Sequence, residues 1–320
     1  MLNMKPSILS LLTVGFALAE PRRVLDHNFP DPAVIQTEQG YYAFGTQSDG
    51  INVQVARSDD FNTWTLLEGT DALPGPFPSW VQGDNPLVWA PDVIQLDDGT
   101  YVLYFSGLAR EDNAKHCVGT ATSPSITGPY TPSESPFACH LDQGGAIDAV
   151  GYHDPSGKRY VIYKVDGNSL NGNGPYHPTP LLLQEVEADG ITKVGSPIQI
   201  LDRDDADGPL VEGPSLIKVD GTYYLTFSSN MYNTLAYDVS YATAEAITGP
   251  YTKAQAPDAP LLVSGDGSDV GPLAGPGHGD FLDGGRKFIF HAFRDGQSID
   301  SGRGAWVVDV EIGGGKITLL

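Results

Sequence analysis

Val211-Glu212-Gly213-Pro214-Ser215-Leu216-Ile217-Lys218-Val219-Asp220-Gly221-Thr222-Tyr223-Tyr224-Leu225-Thr226-Phe227-Ser228-Ser229 decides the fold. Two runs rich in β-branched and aromatic residues flank Asp220-Gly221. That dipeptide suits the two-residue turn of a β-hairpin, because both of its positions tolerate positive φ. A lone carboxylate, Glu212, stands where the first strand begins. The pattern recurs four times, at intervals of roughly 60 residues. Asp31-Pro32-Ala33-Val34-Ile35 leads to Gly40-Tyr41-Tyr42-Ala43-Phe44, and Ala90-Pro91-Asp92-Val93-Ile94 leads to Asp98-Gly99-Thr100-Tyr101. Ile147-Asp148-Ala149-Val150 leads to Gly157-Lys158-Arg159-Tyr160, and His278-Gly279-Asp280-Phe281-Leu282 leads to Gly285-Arg286-Lys287-Phe288.

Each hairpin is followed by two more extended runs. In the second unit these are Cys117-Val118-Gly119-Thr120-Ala121-Thr122 and Gly128-Pro129-Tyr130-Thr131; in the fifth they are residues 305–310 and 316–320. No helical stripe interrupts them. Four short strands repeated five times predict an all-β chain, a five-bladed β-propeller of four-stranded antiparallel blades around a central channel. One catalytic domain is expected over 20–320. Before it, residues 1–19 read as a secretory signal peptide: Lys5 supplies a basic start, Ile8 to Leu18 an apolar stretch too short to span a bilayer, and Ala17-Leu18-Ala19 a cleavage site.

The 320 residues carry a net charge of −22, which excludes nucleic acid and anionic membranes as partners and fits solubility outside the cell. A secreted monomer is expected. Its two cysteines, Cys117 and Cys139, are expected to pair. Two buried free thiols are the alternative.

Propeller geometry assigns positions to the acids. The first strand of each blade lines the channel and all five run the same way, so equivalent positions share one rim. Counting back nine residues from each turn glycine gives Asp31, Ala90, Asp148, Glu212 and Pro276. Counting back seven gives Ala33, Asp92, Val150, Pro214 and His278, one layer deeper on the same face. The second strands return to this rim and bring Thr46, Lys164 to Asp166, Asn230 and Arg294 to the channel mouth.

In a ring of five, blades three and four are neighbours and blade one faces them. Asp148 then stands beside Glu212, with Asp31 opposite. Close like charges hold a proton on one partner. A protonated Glu212 facing an ionised Asp31 meets the requirement for inverting glycoside hydrolysis: Glu212 protonates the leaving oxygen, Asp31 activates water, and Asp148 tunes Glu212. Any one such acid alone would read as a strand-end cap on backbone amides; three at equivalent rim positions favour catalysis. A carbohydrate-binding propeller without activity is the reading from a different class.

The chain resembles glycoside hydrolase family 43, the five-bladed propellers acting on arabinan, arabinoxylan and related polymers. The resemblance is carried by Asn28-Phe29-Pro30-Asp31-Pro32, Trp89-Ala90-Pro91-Asp92-Val93, Gly145-Ala146-Ile147-Asp148, Val211-Glu212-Gly213-Pro214 and Gly275-Pro276-Gly277-His278-Gly279. It implies inversion, with Asp31 as base, Glu212 as acid and Asp148 as pKa modulator. It also implies that Arg294 contacts the sugar. Trp89, Asn230 and Asp92 are the other expected sugar contacts, Trp89 by stacking. His278 is expected beneath the sugar, either as a ligand, through waters, of a Ca²⁺ or Na⁺ in the channel, or as a buried histidine bonded to Asp92 or water. No cofactor is required for the chemistry. The expected activity is an exo-acting α-L-arabinofuranosidase on arabinan or arabino-oligosaccharides of the plant cell wall, with endo-arabinanase or β-xylosidase as alternatives. The residue before the base is Pro30, where the family's endo-arabinanases usually carry histidine.

Overall fold

The structure, a computed structural model, describes residues 20–170, 176–282 and 284–320. The signal peptide expected over 1–19 lies outside the described residues. Five antiparallel sheets follow one another along the chain. Blade one is Ala33–Thr37, Gly40–Gly45, Gln54–Ser58 and Trp64–Leu66; blade two is Trp89–Gln95, Tyr101–Leu108, His116–Ser123 and Thr131–Pro132. Blade three is Ala146–His153, Arg159–Val165, Leu181–Val186 and Lys193–Leu201; blade four is Val211–Val219, Thr222–Ser229, Asp238–Ala244 and Thr252–Lys253. Blade five has Gly277–Phe281, Lys287–Phe293 and Arg303–Gly313. The first strands pack side by side around the channel, the fifth against the first. Helix among the described residues is confined to short 3-10 turns.

The defining hairpin forms as its sequence requires. Val219 pairs with Thr222 across Asp220 and Gly221, whose φ values of 49° and 88° are those of a two-residue turn that matches strand twist. Alternation along its second strand then serves two interfaces at once. Tyr223, Leu225 and Phe227 pack toward blade three, while Tyr224 packs toward blade five. The same holds around the ring, and each of the five blade junctions has its own buried apolar cluster. A fully buried side chain such as Phe288 or Phe105 contributes about 1.5–3 kcal/mol by leaving water. These clusters hold the blades, and therefore the rim, in fixed register.

Two features differ from or complete the sequence reading. The lead-in before Asp31 is itself a strand: Arg22–Leu25 pairs with the third strand of blade five, Arg22 opposite Val307 and Leu25 opposite Ala305. It supplies the outer strand there and closes the ring. Residues Lys316–Leu319, expected to be that fourth strand, pair only with the far half of the third, Val310 opposite Leu319. The expected Cys117–Cys139 disulfide is formed, and it ties the third strand of blade two to the segment that follows the blade.

Candidate active site

Backbone conformation identifies which residues are equivalent at the rim. Asp31, Ala90, Asp148, Gly213 and His278 all adopt left-handed backbone, with φ of 54°, 42°, 56°, 57° and 43°. In blades two to five the ladder is interrupted there, between Trp89 and Asp92, Ile147 and Val150, Glu212 and Ser215, and Gly277 and Asp280. Each interruption is a bulge that re-aims the side chains around it. The bulge lies nine residues before the turn glycine in blades one to three, but eight before it in blade four and seven in blade five. A uniform count therefore misplaces the last two blades. His278, not Pro276, is the rim residue of blade five, and it stands level with Asp31 and Asp148 instead of a layer below. Glu212 sits one residue ahead of its ring position. Gly213 occupies that position because a Cβ there would come within 2.9 Å of the His278 ring.

A pocket of about 300 Å³ opens at this rim, and all five blades line it. Asp31, Asp148 and Glu212 are buried in its wall, so the trio inferred from the sequence does meet. Asp31 is the most heavily held. Arg303 Nη1 donates to its Oδ1 at 2.9 Å, Thr46 Oγ1 donates to its Oδ2 at 2.6 Å, and His278 Nδ1 lies 3.5 Å from Oδ1. The Thr46 hydroxyl is fixed in turn by the Ala90 N–H, 2.8 Å away. Burial alone would raise the Asp31 pKa, but chiefly the Arg303 guanidinium, with His278 beside it, outweighs burial and holds the carboxyl well below the usual range. His291, fully buried, accepts the Asp31 N–H at Nδ1.

Asp148 accepts the Gly213 N–H at 2.9 Å and lies 4.0 Å from His278 Nδ1. Burial pushes its pKa up to about 6, with the charges of Glu212 and Asp31 adding to the rise and His278 and Lys164 opposing it. Beside Glu212, the like charge of Asp148 is joined by a cation that the sequence reading placed at the channel mouth without a role. Lys164 Nζ donates to Glu212 Oε2 at 2.8 Å, and the Tyr237 hydroxyl donates to Oε1 at 2.9 Å.

Of the expected sugar contacts, only Trp89 lines the pocket, where it stacks on His116 at 3.6 Å between ring centroids. Arg294 does not reach it. Its guanidinium donates to Asp26 Oδ1 and to the Ser301 carbonyl, because the second strand of blade five ends before that side chain turns inward. Arg303, at the start of the next strand, takes the inward place and spans from Asp31 to the face of Tyr232. Asn230 is turned toward Ser229 and Asp238, outside the pocket lining, and its neighbours Met231 and Tyr232 form the wall. Asp92 lies below the pocket, where it accepts the Gly151 N–H at 2.8 Å. Burial and the neighbouring Asp280 push its pKa up to about 8. Asp92 and Asp280 occupy equivalent places two residues past the bulge, and each accepts a backbone N–H from the neighbouring blade, of Gly151 and Val34 respectively. Asp166, Asn168 and Ser169 complete the pocket on the blade-three side.

For a channel cation, His278 offers one imidazole, and its Nδ1 already faces Asp31 and Asp148. Among the described residues no group of three or more His, Cys, Asp or Glu side chains is arranged to hold a metal ion. A direct-contact metal site does not fit this donor set.

The fold and the pocket together define a five-bladed propeller with a carboxyl-lined site at its channel mouth. The model of glycosyl hydrolases family 43 matches residues 21–315, and the chain belongs to that family. It is 25% identical over 245 residues to the extracellular endo-α-(1→5)-L-arabinanase 2 of Bacillus subtilis, covering 70% of this chain and 50% of that protein. To the xylan 1,3-β-xylosidase of a Vibrio species it is 26% identical, covering 73% of this chain and 42% of that one. The chain thus spans half or less of the length of these relatives. Among solved structures it resembles an endo-1,4-β-xylanase from Bacteroides thetaiotaomicron, with a TM-score of 0.71, 27% identity, and 94% and 96% of the two chains covered. A thermostable family-43 glycoside hydrolase shares the fold, with a TM-score of 0.76 at 24% identity over 91% and 92% of the chains.

Proposed function

We propose that the protein is a secreted inverting glycoside hydrolase that releases single L-arabinose units from arabinan or arabino-oligosaccharides. The observation that carries this reading is the pocket itself. Three carboxyl groups from three blades converge in a space of about 300 Å³, the small end of the range for ligand sites. That size suits a terminal sugar between the Trp89–His116 wall and the Met231–Tyr232 wall better than a polymer lying across an open cleft. Asp31, kept ionised by Arg303, is the general base that takes a proton from the attacking water. Glu212 is the general acid that protonates the departing glycosidic oxygen. Asp148, fixed by the Gly213 N–H, shapes the field at Glu212. Trp89 and Arg303 are the sugar contacts this geometry favours. A channel Ca²⁺ or Na⁺ would be held by His278 through waters, and the chemistry does not require it.

An endo-arabinanase or β-xylosidase is the second reading, favoured by what the two relatives above are named for. Early products separate the readings. From linear arabinan we expect arabinose alone; a ladder of oligomers would move the assignment to endo action, and release of xylose from xylan to a xylosidase. NMR of the first-formed anomer should show inversion, and net retention is incompatible with Asp31 acting on water.

A further inference from the structure

Among the described residues, Lys164 is the one fully buried ammonium in contact with a member of the acid trio. It lies on the second strand of blade three opposite Ile147, in a run of buried residues, Tyr160 to Val165, that otherwise reads as core. Its side chain has no exposure, and its Nζ lies 2.8 Å from both Glu212 Oε2 and Asp166 Oδ1. Burying an ammonium costs several kcal/mol unless it is paired. Two facing carboxylates supply that pairing. They come from different places: Glu212 from blade four, and Asp166 from just past the end of the lysine's own strand.

Resting on the proposed acid role of Glu212, we propose that Lys164 is a positioning residue that holds Glu212 and stabilises the carboxylate left when Glu212 delivers its proton. When Glu212 gives its proton to the leaving oxygen, a carboxylate appears in a buried pocket. Lys164 at Oε2 and Tyr237 at Oε1 already point donors at it, so the charge is stabilised as it forms without rearrangement. The proton passes from the Glu212 carboxyl to the glycosidic oxygen as the bond to the anomeric carbon breaks, and Lys164 keeps its own three protons throughout. Asp166 moderates the effect, since it shares the same ammonium. The remaining charged or titratable groups around Glu212 are Asp148 on blade three, Tyr237 on its own blade, His278, His291 and Arg303 on blade five, and Asp31 on blade one. None of the others brings a cation into hydrogen-bond contact with Glu212.

The test is the pH profile of kcat/KM on arabino-oligosaccharides for three variants. Lys164→Met should move the alkaline limb upward by about 1 pH unit or more, the effect expected when an opposite charge within 4–6 Å is removed. The acidic limb, set by Asp31, should stay in place. Asp166→Asn should move the alkaline limb the opposite way, and Lys164→Arg should leave it near wild type. Damage to packing alone would lower activity at every pH without opposed shifts. If Lys164→Met does not fold, Asp166→Asn and Lys164→Arg still decide the matter. An alkaline limb unmoved in folded Lys164→Met, or moved upward in Asp166→Asn, overturns the proposal. A separate control keeps the acid assignment distinguishable. Glu212→Gln should retain far more activity on an aryl glycoside with a good leaving group than on an oligosaccharide, and equal losses on both would overturn the acid role itself.

Discussion

Replacing Arg303 with methionine isolates the electrostatics of the proposed base. Arg303 Nη1 and Asp31 Oδ1 are 2.9 Å apart, and both side chains are little exposed. Unit charges about 4 Å apart attract by about 4 kcal/mol at an effective dielectric near 20. One pKa unit corresponds to about 1.4 kcal/mol, so the pair accounts for at most about three units. Thr46 and His278 stay in contact with the carboxylate, and water enters the vacated space. We therefore expect the acidic limb of kcat/KM to rise by about 1–2 pH units in Arg303→Met. The stability consequence has a definite sign. Asp31 is depressed in the fold, so the stability it contributes is present above its unfolded value of about 3.9 and is lost as pH falls through the folded value. Urea melts should therefore show a pH-dependent loss of stability of about 1.5–3 kcal/mol near neutrality in the variant, a gap that closes as the pH is lowered. A folded variant with an unmoved acidic limb would refute the role of Arg303 in keeping the base ionised.

Asp148→Asn should behave in the opposite sense. Its carboxyl is raised to about 6 in the fold, against about 3.9 unfolded, so ionising it costs the fold stability between those values. Relative to wild type, the variant should gain up to about 3 kcal/mol between pH 4 and pH 7 in denaturant melts, while losing activity; a pH-independent difference would contradict this. Deleting residues 20–26 removes the outer strand of blade five and the buried Leu25. The melting temperature should fall by about 10 °C or more in calorimetry, and an unchanged transition would show that the ring closes without that strand.

Much of this was legible in the chain. Hairpin grammar, repeated five times, fixed the number of blades, and the order of blades in a ring was enough to bring Asp31, Asp148 and Glu212 together. What failed was the assumption that all five inner hairpins have equal length. Blades four and five are shorter between bulge and turn, so His278 was read a layer too deep and its equivalence with Asp148 was hidden. The pocket lining differs from the expected one for a related reason: Arg294 falls just past the end of one strand and Arg303 at the start of the next, so Arg303 faces inward. Lys164 was placed at the rim correctly but its role was invisible, because its partner Glu212 is 48 residues away on another blade. Asp92 carried a deceptive signal. Its motif matches the family, yet two residues past the bulge the side chain lies outside the pocket lining and accepts the Gly151 N–H of the next blade.

The left-handed backbone at the rim restricts these positions independently of chemistry. Asp and His enter that conformation several times more readily than most residues, and β-branched or bulky side chains scarcely at all. Asp31, Asp148 and His278 are therefore under two filters, one for the charge or ring they present and one for the φ they must tolerate. An alanine scan would confuse the two, since losses would include backbone strain. Asparagine at the aspartates is the substitution that changes ionisation while leaving the bulge at ease. In an evolving lineage the same double filter leaves few single-step exits from this rim, and the ones it leaves open lead first to Asn: a propeller that keeps its shape and its pocket while giving up the proposed reaction.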